Sequence, residues 1–238
     1  MEQWNGFALE RFIFEEHEAL VVLPNGNANG RLALKTEYWD AFPGAEIELA
    51  KRGFHLCYVK NNHRWGAWDD LDRKARFVEF VAEKYGLSPR CVPVGMSCGG
   101  LFGIKFAAKY PQLVACLYLD APVLNYMSCP GHFGAASSKG PVMEEILNAL
   151  QIDLPHLLAY RDMPLDHLPA LVSHRIPVVL VAGDSDCTVP YIENGALLQE
   201  AYEAAGLPLE VHIKPGCDHH PHGLEDPTPI VEFILNHA

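Results

Sequence analysis

The stretch Cys91-Val-Pro-Val-Gly-Met-Ser-Cys-Gly-Gly-Leu101 runs from a short apolar segment through three glycines into a second apolar segment. Gly95 and Gly99 stand two positions either side of Ser97, which makes the pattern G-x-S-x-G. Residues 91–94 read as a strand, and residues 101–110 as a helix that Pro111 ends. A sharp strand-to-helix turn of this kind holds the central side chain outward in a strained conformation. Neighbouring backbone then comes so close that only glycine fits on either side. The start of the helix aims free N–H groups at negative charge developing beside the serine. Ser97 is therefore the candidate nucleophile. Cys98 is off the apex, and its expected contribution is its backbone N–H to an oxyanion hole. Pro93 lies inside the strand and lacks a ladder donor, which predicts a local irregularity there.

The rest of the chain supplies a scaffold for such a turn. Residues 7–23 read as a strand pair ending in the loop Pro24-Asn-Gly-Asn-Ala-Asn-Gly30. A helix over 45–52 stops at Gly53, and 54–59 reads as a buried strand. Leu71, Ala75, Val78, Ala82 and Tyr85 recur at helical spacing before Gly86, so 69–85 is an amphipathic helix. Residues 114–119 and 176–182 are further buried strands, and 209–213 alternates like a strand near a sheet edge. Thr228 and Pro229 open a last helix. Strands alternating with helices imply an α/β fold, a mainly parallel doubly wound sheet with helices on both faces. Between residues 125 and 175 the alternation lapses into two helix-like pieces, 142–150 and 154–160, among Gly, Ser, Pro and His. This excursion reads as a small helical lid inserted in a single domain spanning 1–238.

A serine nucleophile needs a base held by a third group. Val181-Ala-Gly-Asp-Ser-Asp-Cys-Thr-Val-Pro190, directly after a buried strand, offers Asp186 first and Asp184 second, and Asp120 at the end of the preceding strand is a third candidate. The histidine candidates fall in Lys214-Pro-Gly-Cys-Asp-His-His-Pro-His-Gly223. His219 is 33 residues beyond Asp186, room for one helix and one strand, which suits adjacent loops at one end of a sheet. Spacing leaves His220 and His222 open as well. Cys217, Asp218, His219, His220 and His222 also have the donor types of a metal site, but no second ligand set at metal-like spacing accompanies them. The expectation is a chain with no metal and no cofactor.

Gly95-Met-Ser-Cys-Gly99, Gly183-Asp-Ser-Asp-Cys-Thr-Val-Pro190 and Gly216-Cys-Asp-His219 together resemble the nucleophile, acid and histidine signatures of the α/β-hydrolase superfamily of serine hydrolases. Leu119-Asp-Ala-Pro-Val123, Tyr126-Met-Ser-Cys-Pro-Gly131, Val189-Pro-Tyr-Ile-Glu-Asn194 and His219-His-Pro-His-Gly-Leu224 are similar to a bacterial group described as prolyl-oligopeptidase-like or esterase-like. That group tends to have Ser-Trp-Pro-Gly where this chain has Ser128-Cys-Pro-Gly131. The resemblance implies a Ser97–His219–Asp186 triad acting through an acyl-enzyme on a small-molecule carboxylic ester. Because the group accompanies carbohydrate-degradation genes, acetyl or methyl esters of sugars are implied first. A small-peptide hydrolase and a non-catalytic binding protein on the same scaffold are the rival readings. The resemblance also implies a second oxyanion donor in the loop after the strand at 19–23, that is, residues 25–31, with Asn25 as the candidate. Trp65, Trp68, Tyr126 and Phe133 are the aromatics expected to line the substrate pocket.

Composition narrows the setting. A net charge of −12 with only 18 Lys and Arg argues against nucleic-acid or anionic-membrane partners, while homo-oligomerisation is left open. The seven cysteines, at 57, 91, 98, 116, 129, 187 and 217, are odd in number and scattered, which reads as reduced thiols. With no leader-like start and no long apolar run, the expected location is cytoplasmic.

Overall fold

The computed structural model describes residues 2–128, 133–138 and 140–238. Its sheet begins with an antiparallel meander of β1 (Glu2–Trp4), β2 (Phe7–Phe14) and β3 (His17–Leu23). The hairpin between β2 and β3 turns on Glu15 and Glu16, both at positive φ, which gives the twist a two-residue hairpin loop needs. Next come β4 (Leu32–Lys35), α1 (Gly44–Lys51), β5 (His55–Val59), α2 (Trp68–Tyr85), β6 (Cys91–Met96), α3 (Cys98–Lys109) and β7 (Leu117–Asp120). After an excursion come β8 (Val178–Gly183), α7 (Gly195–Ala205), β9 (Leu209–Lys214) and α8 (Thr228–His237). The excursion carries α4 (Val142–Leu150), α5 (Leu154–Leu158) and α6 (Leu168–Ser173), and no strand among its described residues.

The nine strands run in the order β1-β2-β3-β5-β4-β6-β7-β8-β9, and β4 to β9 are mutually parallel. β1 and β9 are the two edges, and β9 is only half-buried, as its alternating sequence suggests. The crossovers place helices on both faces, and strand residues divide between two apolar layers with a period of two. On β3, Leu20 and Val22 pack with Leu49 of α1 and Ile230 and Ile234 of α8. Ala19 and Val21 face the opposite layer, which contains Val78 of α2, Phe102 of α3 and Leu198 of α7. Ile146 of α4 and Leu157 of α5 join that second layer, so the excursion is packed onto the domain and shares its core. Four of the cysteines, Cys57, Cys91, Cys98 and Cys116, are buried free thiols. No helix is long and apolar enough to cross a membrane.

Two differences from the sequence reading matter. β4 is an additional strand, buried at every position between β5 and β6. Its four residues follow directly on the Asn/Gly loop and are too few for any period to show. The second concerns Pro93, which sits inside β6 and pairs with Leu34 of β4. Thr36 N bonds Val94 O, so even-numbered residues of β6 turn their polar groups to β4 and Pro93 turns its nitrogen towards β7. On that side Cys91 pairs with Val114 but Val94 pairs with Tyr118, so the partner chain carries one extra residue opposite the proline. This bulge is the irregularity, and it explains how proline occupies a central strand.

Candidate active site

All the parallel strands end at one rim of the sheet, where the loops after β4, β6, β7, β8 and β9 meet. Ser97 is the residue between β6 and α3, held at φ 51° and ψ −122°, a strained conformation for a side chain with a Cβ. The strain is held by hydrogen bonds on both sides. Ser97 N donates to Asp120 O at 2.9 Å, and Ser97 O accepts from Val123 N at 3.0 Å. The turn is tight enough that a Cβ on Gly95 would stand 2.5 Å from Gly99 O. A Cβ on Gly100 would stand 2.3 Å from the Pro122 side chain, so this glycine lets α3 press against the loop after β7.

Asp186 lies on the loop after β8 and is buried. Its Oδ1 accepts from Thr188 N and Val189 N, both at 2.8 Å, which fixes the carboxylate and leaves Oδ2 for His219. His219 Nδ1 donates to Asp186 Oδ2 at 2.7 Å, and Ser97 Oγ donates to His219 Nε2 at 3.0 Å. The carboxylate only accepts, so the proton of the neutral imidazole sits on Nδ1 and the lone pair on Nε2 faces the serine. Asp184 has a different task. It accepts from Gly216 N at 2.7 Å and so ties the loop after β8 to the loop after β9.

A second aspartate–histidine pair stands beside the first. His222 Nδ1 donates to Asp120 Oδ1 at 2.8 Å, and both side chains are buried. Tyr118 and Gly223 N donate to Asp120 Oδ2. The rings of His219 and His222 are 4.8 Å apart at 80°. His220, more exposed, completes a trio of near-perpendicular rings and stacks on Phe42 at 5.6 Å. Partial burial, and then the neighbouring His222 and His219, push the His220 imidazole below the usual histidine range.

A cavity of about 350 Å³ opens over Ser97 and His219, bounded by Tyr38, Phe42, Arg64 and Thr188. Its size is at the low end for a small-molecule site. Tyr38 and Phe42, both at positive φ, come from the loop after β4. Burial pushes the Tyr38 phenol well above its ordinary range, so the group stays a proton donor, and Arg64 Nη1 contacts it at 3.5 Å. Cys98 is buried beneath this wall, and burial pushes its thiol up to about 11. It is thus a protonated thiol with a backbone N–H at the first turn of α3.

Several expected site residues lie elsewhere. Asn25 is at the opposite end of the sheet, because β3 runs antiparallel to β5 and the loop after it joins the starts of the parallel strands. Its side chain donates to Gly6 O at 3.0 Å. The loop that does reach Ser97 follows β4, the strand the sequence reading lacked. Trp65 and Tyr126 are core: the tyrosine hydroxyl donates to Trp65 O at 3.1 Å, and the rings pack edge to face. Trp68 donates to Asp162 at 2.9 Å and covers Lys105, helping fasten the excursion to α2 and α3. Phe133 lines a separate shallow groove beside Ile192 and Glu193. The quoted motifs around Tyr126 and Glu193 do come together, since Ser128 Oγ donates to Glu193 at 2.6 Å and Asn194 Oδ1 accepts from Leu124 N and Asn125 N. Cys129 to Gly131, where the chain departs from Ser-Trp-Pro-Gly, lie outside the described residues. The aromatic walls that the sequence reading missed, Tyr38 and Phe42, carry no signal beyond their place after β4.

The sheet order, the strand-to-helix turn at Ser97 and the loops at the rim define the α/β-hydrolase fold, and solved structures agree. The chain is similar to Porphyromonas gingivalis dipeptidyl peptidase 4, with a TM-score of 0.73 at 14% identity over 99% of this chain and 36% of that one. A putative dipeptidyl aminopeptidase IV from Bacteroides ovatus superposes with a TM-score of 0.72 at 13% identity, over 97% of this chain and 35% of that one. The carboxylesterase Cest-2923 from Lactobacillus plantarum matches with a TM-score of 0.65 at 11% identity, over 89% of this chain and 84% of that one. The chain therefore spans about a third of the length of the two peptidases and most of the esterase. No family model matches the sequence.

Proposed function

We propose that the chain is a serine hydrolase of the α/β-hydrolase superfamily that cleaves small carboxylic esters through a Ser97–His219–Asp186 triad. The observation that carries this is the continuous hydrogen-bonded path from Ser97 Oγ through His219 to Asp186, starting from a strained turn at the mouth of a cavity. Ser97 Oγ attacks the carbonyl carbon as its proton passes to His219 Nε2, and the C=O electron pair moves onto oxygen. The tetrahedral intermediate collapses, the C–O bond to the leaving alcohol breaks, and His219 returns the proton to that alcohol. Water then repeats the sequence on the acyl-enzyme and frees Ser97. Asp186 holds the imidazole in the useful tautomer and offsets its transient positive charge.

The oxyanion would form near Cys98 N–H, at the start of α3. Tyr38 replaces Asn25 as the second donor in this account, because it lines the cavity from the loop after β4 and its phenol stays protonated. No carboxylate is among the described residues lining the cavity, and the one guanidinium there, Arg64, is already paired with Glu145 at 2.6 Å. A charged α-amino group would meet no lining carboxylate, which favours esters over peptides with a free α-amino group. Acetyl or methyl esters of sugars are the first members of that class to try.

A fluorophosphonate probe is expected to label Ser97. A panel of acetyl and methyl esters, lactones and dipeptide anilides, run on wild type and Ser97→Ala, should show ester turnover lost in the variant. Faster cleavage of the anilides would instead support a peptidase, as the names of two structural neighbours suggest. No adduct and no turnover would indicate a binding protein.

A further inference from the structure

His219, His220 and His222 present one ligand nitrogen each, all within 4.8 Å of one another. Only His219 has a part in the proposed hydrolysis, and the coincidence of three imidazoles at one mouth needs a separate account. Two of them are prepared in the way metal-binding histidines are. His219 and His222 each give Nδ1–H to a buried aspartate, at 2.7 and 2.8 Å, which fixes the tautomer and leaves the lone pair on Nε2, that of His219 accepting from Ser97 Oγ until an ion displaces it. The aspartates themselves are held by backbone and tyrosine donors. Asp186 and Asp120 also place two negative charges behind the imidazoles. His220 is the exposed member of the trio. In a tetrahedral zinc site, ligand nitrogens about 2.0–2.1 Å from the ion stand roughly 3.4 Å apart. The three nitrogens already lie within 4.8 Å of one another, so binding must draw them closer, and the exposed His220 is the ring that no aspartate holds.

We propose that His219, His220 and His222 form a reversible inhibitory site for a divalent transition-metal ion, zinc first, at the mouth of the cavity. The ion takes the Nε2 lone pairs of His219 and His222 and one ring nitrogen of His220, with water in the fourth position. It needs no redox partner. Occupying His219 Nε2 removes the acceptor for the Ser97 proton, so hydrolysis stops until the ion leaves. The inhibitory half of this inference rests on the serine-hydrolase reading, and the binding half does not.

Calorimetric titration of the chelator-stripped protein with zinc, and visible absorption with cobalt as a probe of tetrahedral coordination, test binding directly. One ion per chain at micromolar affinity is expected, also in Ser97→Ala. Asp120→Asn should weaken binding about 10–100-fold by releasing His222 from its fixed orientation. His220→Ala, a change at an exposed position, should weaken it at least about tenfold. Zinc should slow both ester turnover and fluorophosphonate labelling with one midpoint, and chelator should restore both. Millimolar or weaker binding, or an affinity unchanged in His220→Ala, overturns the site. Activity lost to chelator and regained with zinc overturns the inhibitory role. If no ester is cleaved, the calorimetric and cobalt readouts still decide the binding half, so the two readings fail separately.

Discussion

His219 and His222 share one short loop, and each hands Nδ1–H to a buried aspartate at the end of a parallel strand. Asp186 follows β8 and Asp120 ends β7. In composition and burial the two pairs are near copies. They differ in what lies beyond the ring: Nε2 of His219 meets Ser97 at 3.0 Å, whereas His222 faces Phe42 and the other two histidines. The same aspartate–histidine pair thus occurs with and without a serine in reach, and contact with the strained Ser97 is what marks the pair proposed for catalysis.

Exchanging the carboxylates one at a time tests that separation most severely. Asp186→Asn should lower ester turnover on the order of 10⁴-fold with KM little changed, because an amide permits the wrong imidazole tautomer. Ser97→Ala should lose at least as much. If Asp120→Asn caused the larger fall in kcat, the roles of the two pairs would have to be reversed. A smaller effect follows from the two candidate oxyanion loops. Tyr38→Phe should cost about 10²–10³-fold in kcat, the usual range for one oxyanion donor, while Asn25→Ala should leave steady-state rates unchanged. Next, Asp120→Asn should act mainly on stability. Weakening its bonds to His222, Gly223 N and Tyr118 should lower unfolding free energy by about 1–3 kcal/mol, read as a shift in the denaturation midpoint, with a lesser change in turnover. The smallest effect is expected for Cys98→Ala. Its backbone N–H survives, and a thiol pushed up to about 11 is not a nucleophile near neutral pH. A large fall in kcat there would implicate the sulfur itself.

What could be read in advance was what is local. The turn at Ser97 announces itself because its glycines, strand and helix are contiguous, and Asp186 and His219 are separated by just enough chain for one helix and one strand. The partnership of Asp120 with His222 spans 102 residues and crosses two strands, so no local pattern carries it. The loss of four-residue β4 to the preceding Asn/Gly loop had the widest effect. Without that strand the candidate oxyanion loop falls after β3, at the other end of the sheet, and nothing in the sequence sets Tyr38 and Phe42 apart from Trp65 and Tyr126. Those two are buried in the layer between sheet and helices, and large aromatics in core and cavity look alike until exposure is known.

Asp120 touches both halves of the site in different ways. Its main-chain oxygen holds Ser97 N, and its side chain holds His222 and Gly223 on the loop that carries His219. One residue thus works as a gauge block between the serine and histidine loops. The spacing between Ser97 and His219 is thereby referred to the end of β7, in the middle of the parallel strands, although His219 itself rides on the loop after the edge strand β9.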